Sequence, residues 1–224
     1  MCGRFTISVT MDELIAYYSL HEPGIPFHEP RFNIAPMQMV PAIINDGERN
    51  KIGELRWGLV PAWSKDDKSG FKMINARAET LTEKPSFRGL LTRKRCLIPA
   101  DGFYEWKAVG SAKQPYRIVL RECSIFSLAG LYETWTSPEG NKISTCTIIT
   151  TEPNELMAEI HDRMPVILSR DDEATWLDRT NQDKDLLQAL LRPYDSAEMR
   201  AYPVSTAVGN VRNKSAELIE EVTV

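Results

Sequence analysis

The stretch IFSLAGLYETWTSPEGNKISTCTIIT, residues 125–150, decides the fold. Its two ends, Ile125–Tyr132 and Cys146–Thr150, are rich in β-branched, aromatic and other apolar residues, a composition typical of strands. Pro138-Glu139-Gly140-Asn141 lies between them and has the composition of a turn. The stretch therefore predicts two antiparallel strands joined by a turn.

Similar short runs occur on either side of this stretch. Further strands are predicted at Met39–Ile44, Leu55–Val60, Cys96–Pro99 and Tyr116–Leu120. Helices are predicted from a Thr10-x-x-Glu13 capping box through Tyr18, and at Asn154–Ile160, Asp171–Leu177 and Asp183–Leu191. An irregular segment is predicted where Pro23, Pro26, Pro30 and Pro36 cluster. We expect an α+β fold with one domain, residues 1–224, built on a strongly curved, mostly antiparallel, barrel-like β-sheet flanked by helices.

Composition limits the class of protein. The 224 residues with 42% hydrophobic content suffice for one sizeable core. The sequence has neither the roughly 20-residue apolar run of a membrane helix nor a secretory signal, so we expect a soluble, cytoplasmic monomer without a membrane partner. The four cysteines are too widely spaced for a disulfide framework or a zinc site, and Cys96, Cys123 and Cys146 are predicted to be buried.

The charge is segregated along the chain although its net value is only -4. Between Lys72 and Arg95, basic residues outnumber the two acidic ones, Glu79 and Glu83. Such a run is more often a solvated face than a phosphate-binding track. By itself it indicates an anionic partner and no more.

Cys2 has the most distinctive chemistry in the chain. Removal of the initiator methionine before this small residue would leave an N-terminal cysteine, whose amine and thiol can condense with an aldehyde to give a thiazolidine ring. An unperturbed terminal amine titrates near ~8 and a thiol near ~8.5, so both nucleophiles are accessible near neutral pH. The simpler interpretation is a small residue on a frayed terminus.

Other candidates are polar residues in apolar or rigid surroundings. Asn75 and Arg77 lie in MINARAE, Glu105 lies between Tyr104 and Trp106, and His161 opens HDRMP. Partial desolvation between aromatic neighbours would raise the pKa of Glu105 toward the range of proton transfer, and an imidazole exchanges protons near neutral pH. Structural roles remain open for each of them. Common nucleotide and metal motifs are missing, so we expect no cofactor and no metal.

Seven motifs in order along the chain resemble the SOS response-associated peptidase (SRAP) family. They are Cys2-Gly3-Arg4-Phe5, Asn33-Ile34-Ala35-Pro36, Arg56-Trp57-Gly58-Leu59, Asn75-Ala76-Arg77-Ala78-Glu79, Gly102-Phe103-Tyr104-Glu105-Trp106, His161-Asp162-Arg163-Met164-Pro165 and Ala207-Val208-Gly209-Asn210. Proteins of this family process abasic sites and form covalent crosslinks with single-stranded DNA.

The resemblance implies a role for each matching residue. Cys2 would form the thiazolidine with the ring-opened sugar, Asn75 would orient the reactants, and Glu105 and His161 would transfer protons. Arg4, Arg77 and Arg163 would bind phosphates. Pro36 and Trp63 would form a wedge that splays the strand beside the lesion.

The partner implied is therefore single-stranded DNA that contains abasic sites, and a bacterial member would work at the nucleoid. A Schiff-base stage would also permit strand cleavage as an AP-lyase side activity. Two other hypotheses remain open: an N-terminal-nucleophile cysteine peptidase or amidase, which could also remove its own methionine, and a non-catalytic DNA-binding module.

Overall fold

The computed structural model describes residues 2–21 and 28–223. Met1, Pro23 and Pro26, about which the sequence makes predictions, lie outside these ranges. The strands in the described residues are β1 Phe5–Ile7, β2 Arg31–Ile34, β3 Met39–Asn45, β4 Asn50–Trp57, β5 Asn75–Arg77, β6 Arg95–Ala100, β7 Gly102–Val109, β8 Ala112–Leu120, β9 Phe126–Thr136, β10 Lys142–Thr151, β11 Met164–Pro165, β12 Ile167–Leu168 and β13 Met199–Pro203. The α-helices there are α1 Met11–Tyr18, α2 Glu155–Ala158, α3 Arg170–Leu177 and α4 Lys184–Ala189.

Five strands close into a barrel. β4, β3, β6 and β9 pair in sequence, and β10 pairs with both β9 and β4. The predicted hairpin of β9 and β10 therefore closes the barrel, with Ile143 opposite Trp135 and a turn in which Gly140 has a φ of +88°. Most of the pairs are antiparallel, and the parallel pairs among the described strands are those of β10 with β4 and with β5. The predicted α+β class with a barrel-like sheet and a few flanking helices is confirmed.

A second sheet places Cys2 and β1 against the core. Its order is β13-β8-β7-β1-β2, so β1 lies between β7 and β2. Phe5 is opposite Phe103 of β7, and the Tyr104 N–H donates to the Arg4 carbonyl at 2.9 Å. This pairing fixes the first residues of the chain beside the strand that carries Glu105.

The predicted strand Leu55–Val60 is wrong at both ends. β4 begins earlier, at Asn50, and ends at Trp57 because Gly58 has a φ of +135°. A side chain at Gly58 would also meet the Gly70 carbonyl oxygen at 2.7 Å, so this position requires glycine. The kink sends the chain into the loop of residues 58–74.

The predicted burial of Cys123 is wrong. Cys96 and Cys146 are buried as predicted, but Cys123 is exposed, in the loop before β9.

A buried ion pair ties β1 to its neighbours. Asp101 and Arg117 approach to 3.4 Å with less than 10% of either side chain exposed. The Asp101 carboxylate accepts hydrogen bonds from the side chain of Thr6 and from the backbone N–H and hydroxyl of Ser8, and Arg117 donates to Thr6 and Tyr202. These contacts hold β1 in register with its neighbouring strands.

We expect Asp101→Asn to lower the free energy of unfolding by about 3 kcal/mol, because it leaves the buried Arg117 charge without its counter-ion. Denaturant unfolding measures the change. Glu221→Gln is the matched control, since Glu221 pairs with Arg200 at the surface, where both side chains are about half exposed; we expect a loss below about 1 kcal/mol there. Equal losses in the two variants would contradict the role of the buried pair.

Candidate active site

Cys2 lies at the junction of the two sheets. It is fully buried, and the Asn75 side-chain amide donates to its carbonyl oxygen at 2.9 Å. Asn75 is held there because β5 pairs in parallel with β10, with Asn75 opposite Ile148. The other side-chain atom of Asn75, Oδ1, is buried and has no hydrogen-bond partner among the described residues, so it can accept a hydrogen bond from a bound molecule.

Glu105 lies next to the Cys2 thiol. Only 3% of its surface is exposed. Burial raises the pKa of the Glu105 carboxyl, and the His161 imidazole opposes that shift. Burial also raises the pKa of the Cys2 thiol well above its usual value, and the negative charge of Glu105 raises it further. The carboxyl group therefore lies within electrostatic range of Cys2, and a raised pKa is the direction of shift that suits a group for proton transfer.

His161 faces Glu105 from the segment after α2. Its Nε2 is 3.9 Å from Glu105 Oε2, and 26% of its side chain is exposed. The backbone N–H of Arg163 donates to His161 Nδ1 at 3.0 Å, which places the proton of a neutral ring on Nε2, toward Glu105. Asp162 Oδ1 lies 2.9 Å from the same Nδ1 and can accept a hydrogen bond from the Nδ1–H of a protonated ring.

Two of the three arginines with predicted phosphate contacts have internal partners. Arg4 donates to Asn33 Oδ1 and the Val208 carbonyl, both at 2.7 Å, and its guanidinium lies 5.9 Å from the centre of the Trp106 ring. Arg163 makes a bidentate pair with Glu79 at 2.8 and 2.9 Å.

Arg77 differs from these two. It is exposed on β5, two residues after Asn75, and its side chain makes no hydrogen bond or ion pair with the described residues. Of the three arginines, it has its whole guanidinium available for a phosphate.

The predicted wedge residues lie on the surface around Gly58. Trp63 is 68% exposed, and its loop is anchored where the Trp135 indole donates to the Ser64 carbonyl at 2.7 Å. Pro36 is half-buried in a turn whose next residue, Met37, has a φ of +71°. The sequence analysis missed Phe71, which is 65% exposed in the same loop as Trp63. An aromatic residue between Lys68 and Lys72 was the available signal.

The basic run does not form a continuous positive face. Arg95 is 5% exposed and donates to main-chain carbonyls of Leu91 and Trp176, while Lys94 pairs with Glu133. Arg93 remains exposed. The structure thus brings Cys2, Asn75, Glu105 and His161 together. Lys94 and Arg95, at the end of the basic run, make internal contacts instead.

Within residues 2–21 and 28–223, no three His, Cys, Asp or Glu side chains are placed to hold a metal ion. In the same ranges no helix has the length and apolar character needed to cross a membrane.

Known proteins resemble this chain in sequence and in fold. The family model described as SOS response associated peptidase (SRAP) matches residues 1–211. The chain is 56% identical to abasic site processing protein YoqW of Bacillus subtilis, over 98% of this chain and 99% of that protein. It is 33% identical to abasic site processing protein YedK of Escherichia coli, over 99% and 100% of the two chains. A crystal structure of a Bacteroides thetaiotaomicron protein superposes with a TM-score of 0.85 at 27% identity, covering 99% of this chain and 100% of that one.

Proposed function

Because the chain belongs to the SOS response associated peptidase family, we propose that it binds abasic sites in single-stranded DNA and bonds to them covalently through Cys2. The observation that supports this proposal is the meeting of Cys2, Asn75, Glu105 and His161 at one point. An amine, a thiol and two groups able to transfer protons are the set that condensation with an aldehyde requires. Removal of Met1 is the first step, since it frees the amine.

The reaction begins with the sugar. An abasic deoxyribose exists mainly as a closed hemiacetal, and His161 moves the proton that opens it to the C1′ aldehyde. The Cys2 amine then attacks C1′ to give a carbinolamine, which loses one water to form an imine. Glu105 takes a proton from the amine and returns one to the departing hydroxyl.

The thiol completes the ring. The sulfur of Cys2 adds to the imine carbon, a carbon–sulfur bond forms, and the thiol proton passes to the nitrogen. One water is lost overall. Asn75 holds the reacting terminus in register, where an error of about 1 Å can cost about 100-fold in rate. If the imine instead loses the proton at C2′, β-elimination breaks the strand, which gives the lyase side reaction.

DNA binding uses the exposed groups around this centre. Single strands are favoured because an abasic nucleotide leaves the stack at least cost there. Trp63 and Phe71 offer faces for base stacking, and Arg77 offers a phosphate contact, so binding is largely independent of base identity.

A denaturing gel tests the proposal. We expect the mature protein to form a band that resists denaturation with abasic single-stranded DNA, and none with intact DNA of the same sequence. Bands with both DNAs, or with neither, would refute covalent capture of an aldehyde. An acyl-enzyme formed with a peptide substrate, in place of the DNA adduct, would favour the peptidase hypothesis.

We expect Arg77→Ala to weaken binding to single-stranded DNA of any sequence and to reduce the slope of log affinity against log salt by about one, because one phosphate contact is lost. Fluorescence anisotropy at several salt concentrations measures both effects. Arg93→Ala removes another exposed arginine, one that donates to the Gly89 carbonyl and has no proposed phosphate contact, and should leave the slope unchanged. A loss confined to one base sequence would contradict a phosphate contact.

We expect Arg4→Ala also to weaken binding. Because Arg4 bonds internally to Asn33 and Val208, this variant should in addition unfold at lower denaturant concentration. Unchanged unfolding would show that these internal bonds contribute little, and unchanged affinity would remove Arg4 from the DNA-binding set.

A further inference from the structure

A cavity of about 670 Å³ lies beside the turn that carries Pro36. Its wall includes Arg31, Phe32 and Asn33 of β2, Gln38 and Met39 after the turn, and Lys214 of the C-terminal loop. β2 is the edge strand of its sheet, and no strand of the described residues pairs with its outer side. A cavity of this size is in the range of small-molecule sites.

The wall combines three kinds of chemistry. Met39 is 42% exposed and Phe32 is half-buried, which gives an apolar surface. The side-chain oxygen of Gln38 accepts from Arg31, while its amide nitrogen has no partner among the described residues and can donate. Lys214 is exposed and makes no hydrogen bond or ion pair with those residues.

The wall of the cavity carries two positive side chains and one negative one. Arg31 and Lys214 lie there with Glu29, and the Glu54 carboxylate also acts on Arg31. Arg31 uses one N–H each on Met39 and Gln38, which leaves three of its five donors unassigned. A flat apolar group joined to a negative group would therefore match the cavity.

A hydrogen bond links the wall of the cavity to the segment that carries Cys2. Asn33, in its wall, accepts from Arg4 at 2.7 Å and donates to the carbonyls of Val208, Asn210 and Asn213. Arg4 is two residues from Cys2, a separation of at most about 7 Å along an extended chain. Asn33 thus connects the loop that carries Lys214 to Arg4, two residues along the chain from the residue that would hold the lesion.

We infer that this cavity binds one nucleotide of the lesion strand next to the abasic site, an inference that rests on the proposed function. The base lies against Met39 and Phe32, and its phosphate lies at Lys214. Each of the four bases carries a hydrogen-bond acceptor on its edge, so the Gln38 amide can donate to any of them. The subsite therefore adds affinity without selecting sequence.

Oligonucleotides of graded length test the inference. A tetrahydrofuran abasic analogue has no aldehyde, so its binding is measured without crosslinking. The strand is shortened one nucleotide at a time on each side of the analogue, and the affinity of the unmodified mature protein is measured at each length. We expect a gain of about tenfold when the nucleotide that fills the cavity is added, the order expected for one stacked base.

Met39→Ala combined with Lys214→Ala should remove that one gain and leave the affinity for the shorter strand unchanged. Lys184→Ala combined with Leu186→Ala is the matched control, because α4 exposes the same kinds of side chain elsewhere. An equal loss at every length, or no loss, would overturn the subsite. Crosslinking of the aldehyde form to the shortest strand is measured separately, so failure of the proposed function would appear there instead.

Discussion

Cys2→Ala is expected to abolish the stable adduct with abasic single-stranded DNA. The variant keeps a terminal amine after Met1 removal but has no thiol, so an imine can form and cannot close to a thiazolidine. Non-covalent affinity for the tetrahydrofuran analogue should change little, because Cys2 is buried and is not among the exposed groups proposed to bind phosphate. Denaturing gels without a reducing agent measure the adduct, and anisotropy measures the affinity.

Two further variants test the role of the Cys2 thiol. Cys2→Ser also keeps the amine, and borohydride should trap its imine on the DNA. Cys146→Ala removes another fully buried thiol, inside the barrel on β10, and should crosslink as the unmodified protein does. A stable adduct formed by Cys2→Ala, or by a protein with an extra residue retained before Cys2, would contradict the ring mechanism.

Glu105→Gln is expected to slow crosslinking at saturating DNA by about 10²–10⁴-fold, the usual contribution of a positioned acid or base. DNA affinity should stay nearly unchanged, because Glu105 is 3% exposed and has no proposed phosphate contact. Single-turnover rates on denaturing gels and anisotropy measure the two quantities separately.

The pH dependence of the crosslinking rate tests whether Glu105 is the base. Burial raises the pKa of Glu105, and a carboxyl group acts as a base only when it is ionised. The rate should therefore fall as pH falls through that raised pKa, and Glu105→Gln should lose this acid limb. Glu159→Gln, which changes an exposed carboxylate two residues before His161, is the control and should retain it. A Glu105→Gln variant with full rate and the same acid limb would assign the base to His161 or to the terminal amine.

His161→Ala is expected to slow the same step, again with little change in affinity. Its effect should be larger on abasic DNA, where the sugar must open, than on a strand that already presents a free aldehyde. Equal slowing on both substrates would remove ring opening from the role of His161.

Local patterns were sufficient to predict most of the architecture. The hairpin of β9 and β10 and the capping box of α1 depend on neighbours along the chain, and both are present. The end of β4 was missed because it depends on the close approach of Gly58 to Gly70, which no local pattern reveals. The register of β1 likewise depends on Asp101, 95 residues from Thr6.

The sequence predicts which residues form the candidate site better than it predicts the contacts that they make. The sequence motifs identified Cys2, Asn75, Glu105 and His161, and the fold brings these residues together. The internal partners of Arg4 and Arg163 lie up to 205 and 84 residues away, so sequence reasoning could not separate these arginines from the exposed Arg77. The roles proposed for Phe71 and Lys214 depend on the exposure of their side chains, which only the structure shows.

The intact mass of the mature protein after incubation with an abasic single-stranded oligonucleotide tests the central claim most directly. The proposed condensation joins the two molecules and releases one water. We predict a species whose mass equals that of the protein without Met1 plus that of the oligonucleotide minus one water, and which persists under denaturing conditions without borohydride. No such species, or one seen only after borohydride reduction, would contradict the thiazolidine mechanism.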